Sequence, residues 1–271
     1  MITTTFKSSA AVAADWPAAW RRPFLRIGHA GAGHYAPHNS IESLALGLKM
    51  GADAIEFDVQ ACRDALVLLH DEDMAQFEDK QGPVAAVTLR ELRALRTRDG
   101  AQVATLDEAL DLLQGRALLN VDLKGEGHES AVLAALRARG IIDEVIVSSS
   151  IAGSLRAVRA LEPSIRTGIS HPQNHSAAGQ PLLRPVVRLA VRWMRRTMPR
   201  RIAGVMADAH ASAVMLNYHF VTAATVQSVH RAGRRIFVWT VDDTADMQRI
   251  RALGVDGITS NRPDLLMQAA A

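Results

Sequence analysis

Short aliphatic segments alternate with amphipathic segments along most of the chain, and this alternation constrains the fold more than any other feature. Helical spacing between the aliphatic segments places Ser40, Thr105 and Glu108 at expected helix N-cap and capping-box positions. Strands separated by helices predict βαβ units, and about eight such units in 271 residues predict a (β/α)8 barrel. The strand-like segments are FLRIGH, AIEFDV, LVLLH, ALLNVDLK, EVIVSSS, IRTGIS, VMLNY, RIFVWTV and GITSN.

Two of these segments break the alternation. No helix fits between the strands of EFDVQACRDALVLLH, so we expect a hairpin-like excursion there and nine strand-like segments in total.

Composition indicates a folded protein with a large core, because 48% of the residues are hydrophobic and 22% are charged. Cys62 is the only cysteine, which excludes an internal disulfide and fits a reducing compartment. No apolar run approaches the roughly 20 residues that span a bilayer. We expect residues 1–23 to be a leader that packs on the barrel or is partly disordered, residues 24–271 to form one barrel domain, and the protein to be cytoplasmic.

The segment PLLRPVVRLAVRWMRRTMPRR interrupts the pattern with seven arginines, and no acidic residue occurs from Ser164 to Met206. Its spacing is that of a basic amphipathic helix, and Arg184–Arg201 either contacts anionic lipid as a peripheral surface or is an ordinary outer barrel helix. Nucleic acid is disfavoured as a partner because no nucleic-acid motif accompanies the patch.

Polar residues interrupt or end several of the aliphatic strands. In a barrel the C-terminal strand ends face the active site, and burying such groups is costly unless they are paired or bind metal. We therefore expect one site assembled from five strand ends. Its residues are His29, Glu56, Asp58, His70, Asp122, Lys124 and Trp239.

Glu56 and Asp58 are two residues apart, so on a strand their carboxylates point to the same face and require a cation or a shared proton. With Asp122 they make three hard oxygen ligands, which suit Mg²⁺ or Ca²⁺ better than zinc. A salt-bridge network in the barrel core is the alternative. Two histidines beside such a site can serve as base and acid in phosphodiester cleavage, with Lys124 offsetting anionic charge on the substrate.

The segments GHAG, APHNSIES, GADAIEFDV and LLHD, followed by NVDLKG, FVWTVDD and GVDGITSNRPDLL, resemble the glycerophosphodiester phosphodiesterase family from about Ile27 to Leu266. The resemblance implies a TIM barrel of the phospholipase C-like phosphodiesterase type. It also implies that His29 and His70 are catalytic. Glu56, Asp58 and Asp122 would be metal ligands, with Asp122 replacing the usual glutamate, and Lys124 and Trp239 would bind substrate.

The chain departs from the family pattern at two positions near the first histidine. Ala30 replaces an arginine expected at phosphate, and His38 replaces the glutamate of P-E-N-T. Losing a charge-assisted phosphate contact weakens binding by about 1.5–3 kcal/mol unless it is replaced. We hypothesise that the two changes are linked and that His38 or His34 approaches the phosphate or the metal.

The leading interpretation is hydrolysis of a glycerophosphodiester to glycerol 3-phosphate and an alcohol. A lysophospholipase D or phospholipase C-like activity on lipid at a membrane is the first alternative. The second is a degenerate site that binds a phosphorylated ligand without turnover.

Overall fold

A computed structural model describes residues 16–77, 81–172 and 184–268 of the chain. In this part of the chain eight parallel strands form a closed ring, since β1 pairs with β2 on one side and with β9 on the other. This confirms the predicted (β/α)8 barrel. The strands are β1 (Leu25–Gly28), β2 (Ala54–Ala61), β3 (Leu66–Val67), β4 (Leu118–Leu123), β5 (Val145–Ser149), β6 (Arg166–His171), β7 (Ala213–Asn217), β8 (Arg235–Trp239) and β9 (Gly257–Ser260).

Helices follow the strands and cover the outside of the ring. Two predicted N-termini are confirmed: the Ser40 side chain accepts a hydrogen bond from the Ser43 N–H, and Thr105 and Glu108 form a capping box. The described helices are α1 (Ile41–Lys49), α2 (Leu89–Arg93), α3 (Leu106–Leu113), α4 (Glu129–Ala138), α5 (Ala152–Leu161), α6 (Arg184–Asp208), α7 (Ala223–Arg231), α8 (Thr244–Arg251) and α9 (Pro263–Gln268).

β3 lies outside the ring and pairs antiparallel with the end of β2, with Gln60 opposite Val67. The expected hairpin is therefore confirmed. One detail of the expectation is wrong, because LVLLH does not supply a barrel strand: β3 ends at Val67, and His70 lies in the loop beyond it. Within the ring β2 pairs with β4, and this short segment pairs with Gln60 and Ala61 at the end of β2 and lies beyond the ring.

The inward-facing side of the barrel changes character from one end to the other. At the N-terminal end it is apolar, formed by residues such as Ala54, Leu118 and Phe237, with Trp16 and Trp20 packed beneath them. Two residues further along the same strands the inward positions are Glu56 and Asn120, which lie opposite each other in register. Progression along β2 and β4 thus carries the inward positions from apolar residues to polar ones at the C-terminal end.

Residues 16–23 are the part of the expected leader that the structure describes, and they include a tryptophan pair. Trp16 and Trp20 are buried under the barrel, while residues 1–15 lie outside the described residues.

Helix α6 is the longest of the described helices, with 25 residues. Met198, Ile202 and Met206 bury one side of its C-terminal half against the barrel, and Val191 and Met194 are partly buried on the same side. None of the helices in the described part of the chain is long and apolar enough to cross a membrane.

Candidate active site

Three carboxylates from two neighbouring strands meet at the C-terminal end of the barrel. Asp58 on β2 lies directly opposite Asp122 on β4, and Glu56 precedes Asp58 on the same face. One oxygen from each of the three carboxylates lies within 4.8 Å of the others, and all three residues are buried. The predicted ligand set is therefore a single cluster in space.

The surroundings shift the pKa values of Glu56 and Asp58 in opposite directions. Burial, together with the charges of Asp58 and Asp122, raises the pKa of Glu56 well above its usual value. Burial also opposes ionisation of Asp58, but Lys124, His70 and a hydrogen bond from Asn39 outweigh it and lower the pKa of Asp58 to about 2. A nearby cation would therefore stabilise the ionised form of Glu56.

Lys124 lies directly after β4 and reaches back over the cluster. Its Nζ is 2.9 Å from Asp58 Oδ1 and 2.5 Å from Asp122 Oδ2. Burial alone would lower the pKa of Lys124, but Asp122 and Asp58 raise it above its usual value, so the ammonium is charged. With all three carboxylates ionised and Lys124 charged, the cluster has a net charge of −2, which a divalent cation would neutralise.

Hydrogen bonds hold at least one oxygen of each carboxylate in place. The Ala30 N–H donates to Glu56 Oε2 at 2.9 Å, and Ser148 Oγ donates to Asp122 Oδ1. Asn39 forms two bonds with Asp58: its Nδ2 donates to Oδ2 at 2.8 Å, and its Oδ1 accepts from the Asp58 N–H at 3.0 Å.

His29 follows β1 immediately, at the same end of the barrel. Its Nδ1 lies 2.7 Å from Asn261 Oδ1, and its Nε2 lies 4.0 Å from Glu56 Oε2. The ring therefore faces the carboxylate cluster through Nε2. Asn261 follows β9, so this contact joins the first and last strands of the ring.

His70 approaches the same cavity from the loop after β3. Its side chain is 65% exposed and its Nδ1 lies 2.7 Å from Asp71 Oδ1. Asp71 thus acts as the neighbour that orients this histidine. Both histidines line one cavity, although only His29 comes directly from a barrel strand.

His38 lies against His29, with the two ring centroids 5.6 Å apart and the planes nearly perpendicular. Burial, followed by the neighbouring His29, lowers the pKa of His38, so its imidazole is neutral at pH 7. Ala30 is buried and adopts a left-handed conformation with φ of +46°. No side chain extends from position 30 into the cavity, whereas His38 lines it.

The cavity has a volume of about 1470 Å³ and opens at the C-terminal end of the ring. Trp239, the last residue of β8, lines it and donates from Nε1 to the Met215 carbonyl at 2.8 Å. All of the site residues expected from the sequence line this cavity, as do Asn120, Ser148 and Ser170.

Several site residues were not expected from the sequence. Asn39 follows His38 within the PHN triplet, and its position in that motif was the available signal. Asn261 likewise lies within the segment GVDGITSNRPDLL that carries the resemblance, whereas Ser148 and Ser170 carry no signal of their own. Only the closure of the ring brings them to the carboxylates and to His29.

Paired histidines, a buried carboxylate cluster and a cationic lysine in one barrel mouth are the groups expected of a phosphodiesterase barrel. Residues 29–265 match the model of the "Glycerophosphoryl diester phosphodiesterase family". The chain belongs to this family, and it is a phosphoric diester hydrolase.

Individual relatives agree with the family match. A glycerophosphodiester phosphodiesterase from Caldanaerobacter subterraneus is 28% identical over 257 residues, covering 90% of this chain and 96% of that protein. One from Bacillus altitudinis is 28% identical over 247 residues, covering 86% and 91% of the two chains. A crystal structure of a glycerophosphodiester phosphodiesterase from Agrobacterium tumefaciens is 26% identical, with a TM-score of 0.71 over 90% of this chain and 97% of the other.

Proposed function

We propose that the protein uses a divalent metal ion to hydrolyse a glycerophosphodiester to glycerol 3-phosphate and an alcohol. The observation that carries the proposal is the buried cluster of Glu56, Asp58 and Asp122 in one cavity with two histidines. The family and the names of the relatives support the general reaction.

The three carboxylates would hold the metal ion, and their chemistry fits one. They are hard oxygen donors, buried and close together. The raised pKa of Glu56 indicates that its ionised form is destabilised by burial and by the neighbouring carboxylates, which a bound cation would offset. Mg²⁺ and Ca²⁺ are the ions that such a donor set prefers. When bound, the ion neutralises phosphoryl oxygens and so favours nucleophilic attack at phosphorus.

His29 serves as the general base in this proposal. Its Nδ1 is bound to Asn261, so Nε2 is the atom that faces the cluster and removes a proton from the attacking hydroxyl. The hydroxyl belongs either to water or to the glycerol part of the substrate.

His70 serves as the general acid. Asp71 holds its Nδ1, which leaves Nε2 to donate a proton to the departing alkoxide as the bond from phosphorus to the alcohol oxygen breaks. The exposed position of His70 at the cavity suits a leaving group that departs into solvent.

Three further residues would bind the substrate. Lys124 adds positive charge beside the phosphate, and Trp239 forms an apolar wall at the mouth. His38 occupies the side of the cavity next to His29 and, as a neutral imidazole, offers a hydrogen bond where the family usually has charged groups.

A lysophospholipid is the second candidate substrate. The cavity of about 1470 Å³ exceeds the range of about 300–1,000 Å³ common for small-molecule sites, which leaves room for an acyl chain. The enzyme would then be a lysophospholipase D or a phospholipase C-like enzyme with the same catalytic groups.

The test is a turnover assay of the purified protein, depleted of metal with EDTA and supplied with Mg²⁺ or Ca²⁺. Glycerophosphocholine, glycerophosphoethanolamine and lysophosphatidylcholine form the substrate panel. We expect metal-dependent turnover, reduced about 10³-fold or more by His29→Ala and by His70→Ala, as expected for loss of a general acid or base. His219→Ala, an exposed histidine outside the cavity lining, is the matched control.

The outcomes separate the candidates. Preference for lysophosphatidylcholine would replace the glycerophosphodiester with the lipid substrate. Absence of turnover with every substrate and metal, combined with calorimetric binding of glycerol 3-phosphate, would identify a degenerate binding protein instead.

A further inference from the structure

Helix α6 carries an exposed surface that combines apolar and cationic side chains. Leu189 and Trp193 are 69% and 57% exposed, an unusual state for residues of this size. Four exposed arginines surround them. We call this set the α6 face: Leu189, Arg192, Trp193, Arg196, Arg200 and Arg201.

The α6 face lies opposite the side of the helix that packs on the barrel. Leu189, Trp193, Arg196 and Arg200 follow the spacing i, i+4, i+7 and i+11, which places them in one row on an α-helix. The buried row is different, formed by Val191, Met194, Met198 and Ile202. The apolar side of α6 that packs on the barrel is therefore formed by other residues, and Leu189 and Trp193 do not contribute to that contact.

The charge of the α6 face is not balanced by neighbouring residues. Among the described residues, none of its arginines forms an ion pair with a carboxylate. The sequence has no acidic residue from Ser164 to Met206. Arg201 instead lies over the Trp193 ring, with its Cζ 5.9 Å from the ring centroid.

The N-terminal half of α6 lies at the same end of the barrel as the cavity. The chain leaves β6 at Pro172, which lines the cavity, and α6 then runs back toward the start of β7. Near the cavity end, α6 contacts the turn Tyr218–Phe220, which follows β7.

We infer that the α6 face docks on an anionic lipid bilayer. Leucine and tryptophan among arginines is the composition of helices that lie in a membrane interface, where the indole ring sits at headgroup level. The aliphatic parts of the arginine side chains pack along the apolar region while their guanidinium groups reach the lipid phosphates. The exposed apolar side chains do not pack on the barrel, and the arginines form no ion pairs with described residues. Both groups of side chains suit contact with an anionic bilayer.

Vesicle co-sedimentation of the full-length protein tests the inference independently of turnover. We expect binding to vesicles of equal parts phosphatidylcholine and phosphatidylglycerol, and little binding to pure phosphatidylcholine. Each arginine contributes about a fivefold increase in partitioning to an anionic surface, so the triple variant R192Q/R196Q/R200Q lowers it about 100-fold. The variant L189S/W193S, which keeps every charge, lowers binding about 10-fold or more.

The matched control removes three exposed arginines from the segment between β3 and β4, as R90Q/R96Q/R98Q. This control lowers the net charge by the same amount as R192Q/R196Q/R200Q. We expect it to bind anionic vesicles within about fivefold of the wild-type protein. Circular dichroism and thermal unfolding verify that each variant folds.

Trp193 supplies a second readout, because Trp16 and Trp20 are buried and Trp239 lies in the cavity wall. Its emission shifts to shorter wavelength on anionic vesicles, and W193F abolishes the shift while retaining sedimentation. Equal binding to both vesicle types, binding to neither, or wild-type binding by the arginine variant overturns the inference. So does arginine-dependent binding of a DNA or RNA oligonucleotide by a protein that ignores vesicles.

Discussion

Asn261 holds His29 in one orientation, with its Oδ1 2.7 Å from His29 Nδ1. The amide is itself oriented, because Asn261 Nδ2 donates to Asp242 Oδ2 at 2.7 Å and its backbone N–H donates to Asp242 Oδ1 at 2.8 Å. The amide oxygen must therefore accept, so His29 carries its proton on Nδ1 and presents the lone pair of Nε2 to the site.

Replacing Asn261 should reduce turnover through the orientation of His29. We expect Asn261→Leu to lower kcat about 10- to 100-fold, because the imidazole loses the acceptor that sets its tautomer and position. Steady-state kinetics at saturating metal, with a titration of Mg²⁺ or Ca²⁺, should show the loss in kcat and little change in metal affinity.

A reciprocal exchange provides the control for this prediction. Asn261→Asp alone places two carboxylates in contact, whereas Asn261→Asp combined with Asp242→Asn restores one amide and one carboxylate in the pair. We expect the double variant to recover most of the lost kcat. Recovery no better than that of the single variant would contradict the positioning role.

Removing the Glu56 charge should stabilise the metal-free protein. Burial and the neighbouring Asp58 and Asp122 raise the pKa of Glu56, so at pH 7 its ionised form is destabilising without a cation. We expect Glu56→Gln to stabilise the EDTA-treated protein by about 1 kcal/mol, which raises Tm by about 2–4 °C.

Divalent ions should stabilise the wild-type protein more than the Glu56→Gln variant. Mg²⁺ or Ca²⁺ should raise the Tm of the wild type and have little effect on Glu56→Gln, because the variant lacks one ligand. An equal metal-induced rise in both proteins would exclude Glu56 as a ligand.

His38 should affect substrate affinity more than the chemical step. Its pKa is lowered by burial and by His29, so above pH 6.5 it is a neutral hydrogen-bonding group. We expect His38→Ala to raise KM about 10-fold, the equivalent of one neutral hydrogen bond, with no pH dependence of this effect above pH 6.5. His34→Ala, in the same loop beside Tyr35, is the control. Unchanged KM, kcat and metal affinity in His38→Ala would remove His38 from the site.

Asp53 should contribute to stability in a pH-dependent way. It lies before β2, and its carboxylate accepts hydrogen bonds from the Arg26 N–H at 3.0 Å and from Arg26 Nε at 2.7 Å. Burial opposes its ionisation, but these bonds outweigh burial and lower the pKa of Asp53. A lowered folded-state pKa means that the stabilisation is present above the unfolded pKa of about 4 and declines as the pH falls.

Denaturant unfolding measures this contribution. We expect Asp53→Asn to cost about 1.5–3 kcal/mol at pH 7 and progressively less below pH 4. The exposed Asp143→Asn should change stability by less than about 0.5 kcal/mol at either pH. A cost for Asp53→Asn that does not change with pH would show that packing, not charge, is lost.

The barrel strands and the carboxylate set could be predicted because their signals are local. Aliphatic runs identify strands, and the two-residue spacing of Glu56 and Asp58 puts both on one face regardless of the rest of the chain. The hairpin after β2 was also foreseeable, since too few residues separate its strands for a helix. His70 was placed wrongly at a barrel strand end, because pairing direction depends on neighbouring strands that local sequence does not specify.

The sequence of the basic segment predicts a helix but does not say which residues are exposed. Val191 and Met194, which recur beside the arginines, pack against the barrel, while Leu189 and Trp193 are on the solvent side. The rotation of a helix about its axis is decided by the surface on which it packs.

The amino-acid sequence by itself determined the (β/α)8 architecture, the groups available for chemistry and their order along the chain, because periodicity and spacing act over a few residues. The tertiary structure decided which groups meet. Ring closure between β1 and β9 brings Asn261 to His29 across 232 positions of sequence. The register of β2 with β4 sets Asp58 opposite Asp122, and this fixes where Lys124 can place its charge. Such contacts depend on the simultaneous packing of all the strands, which no short segment of the chain encodes.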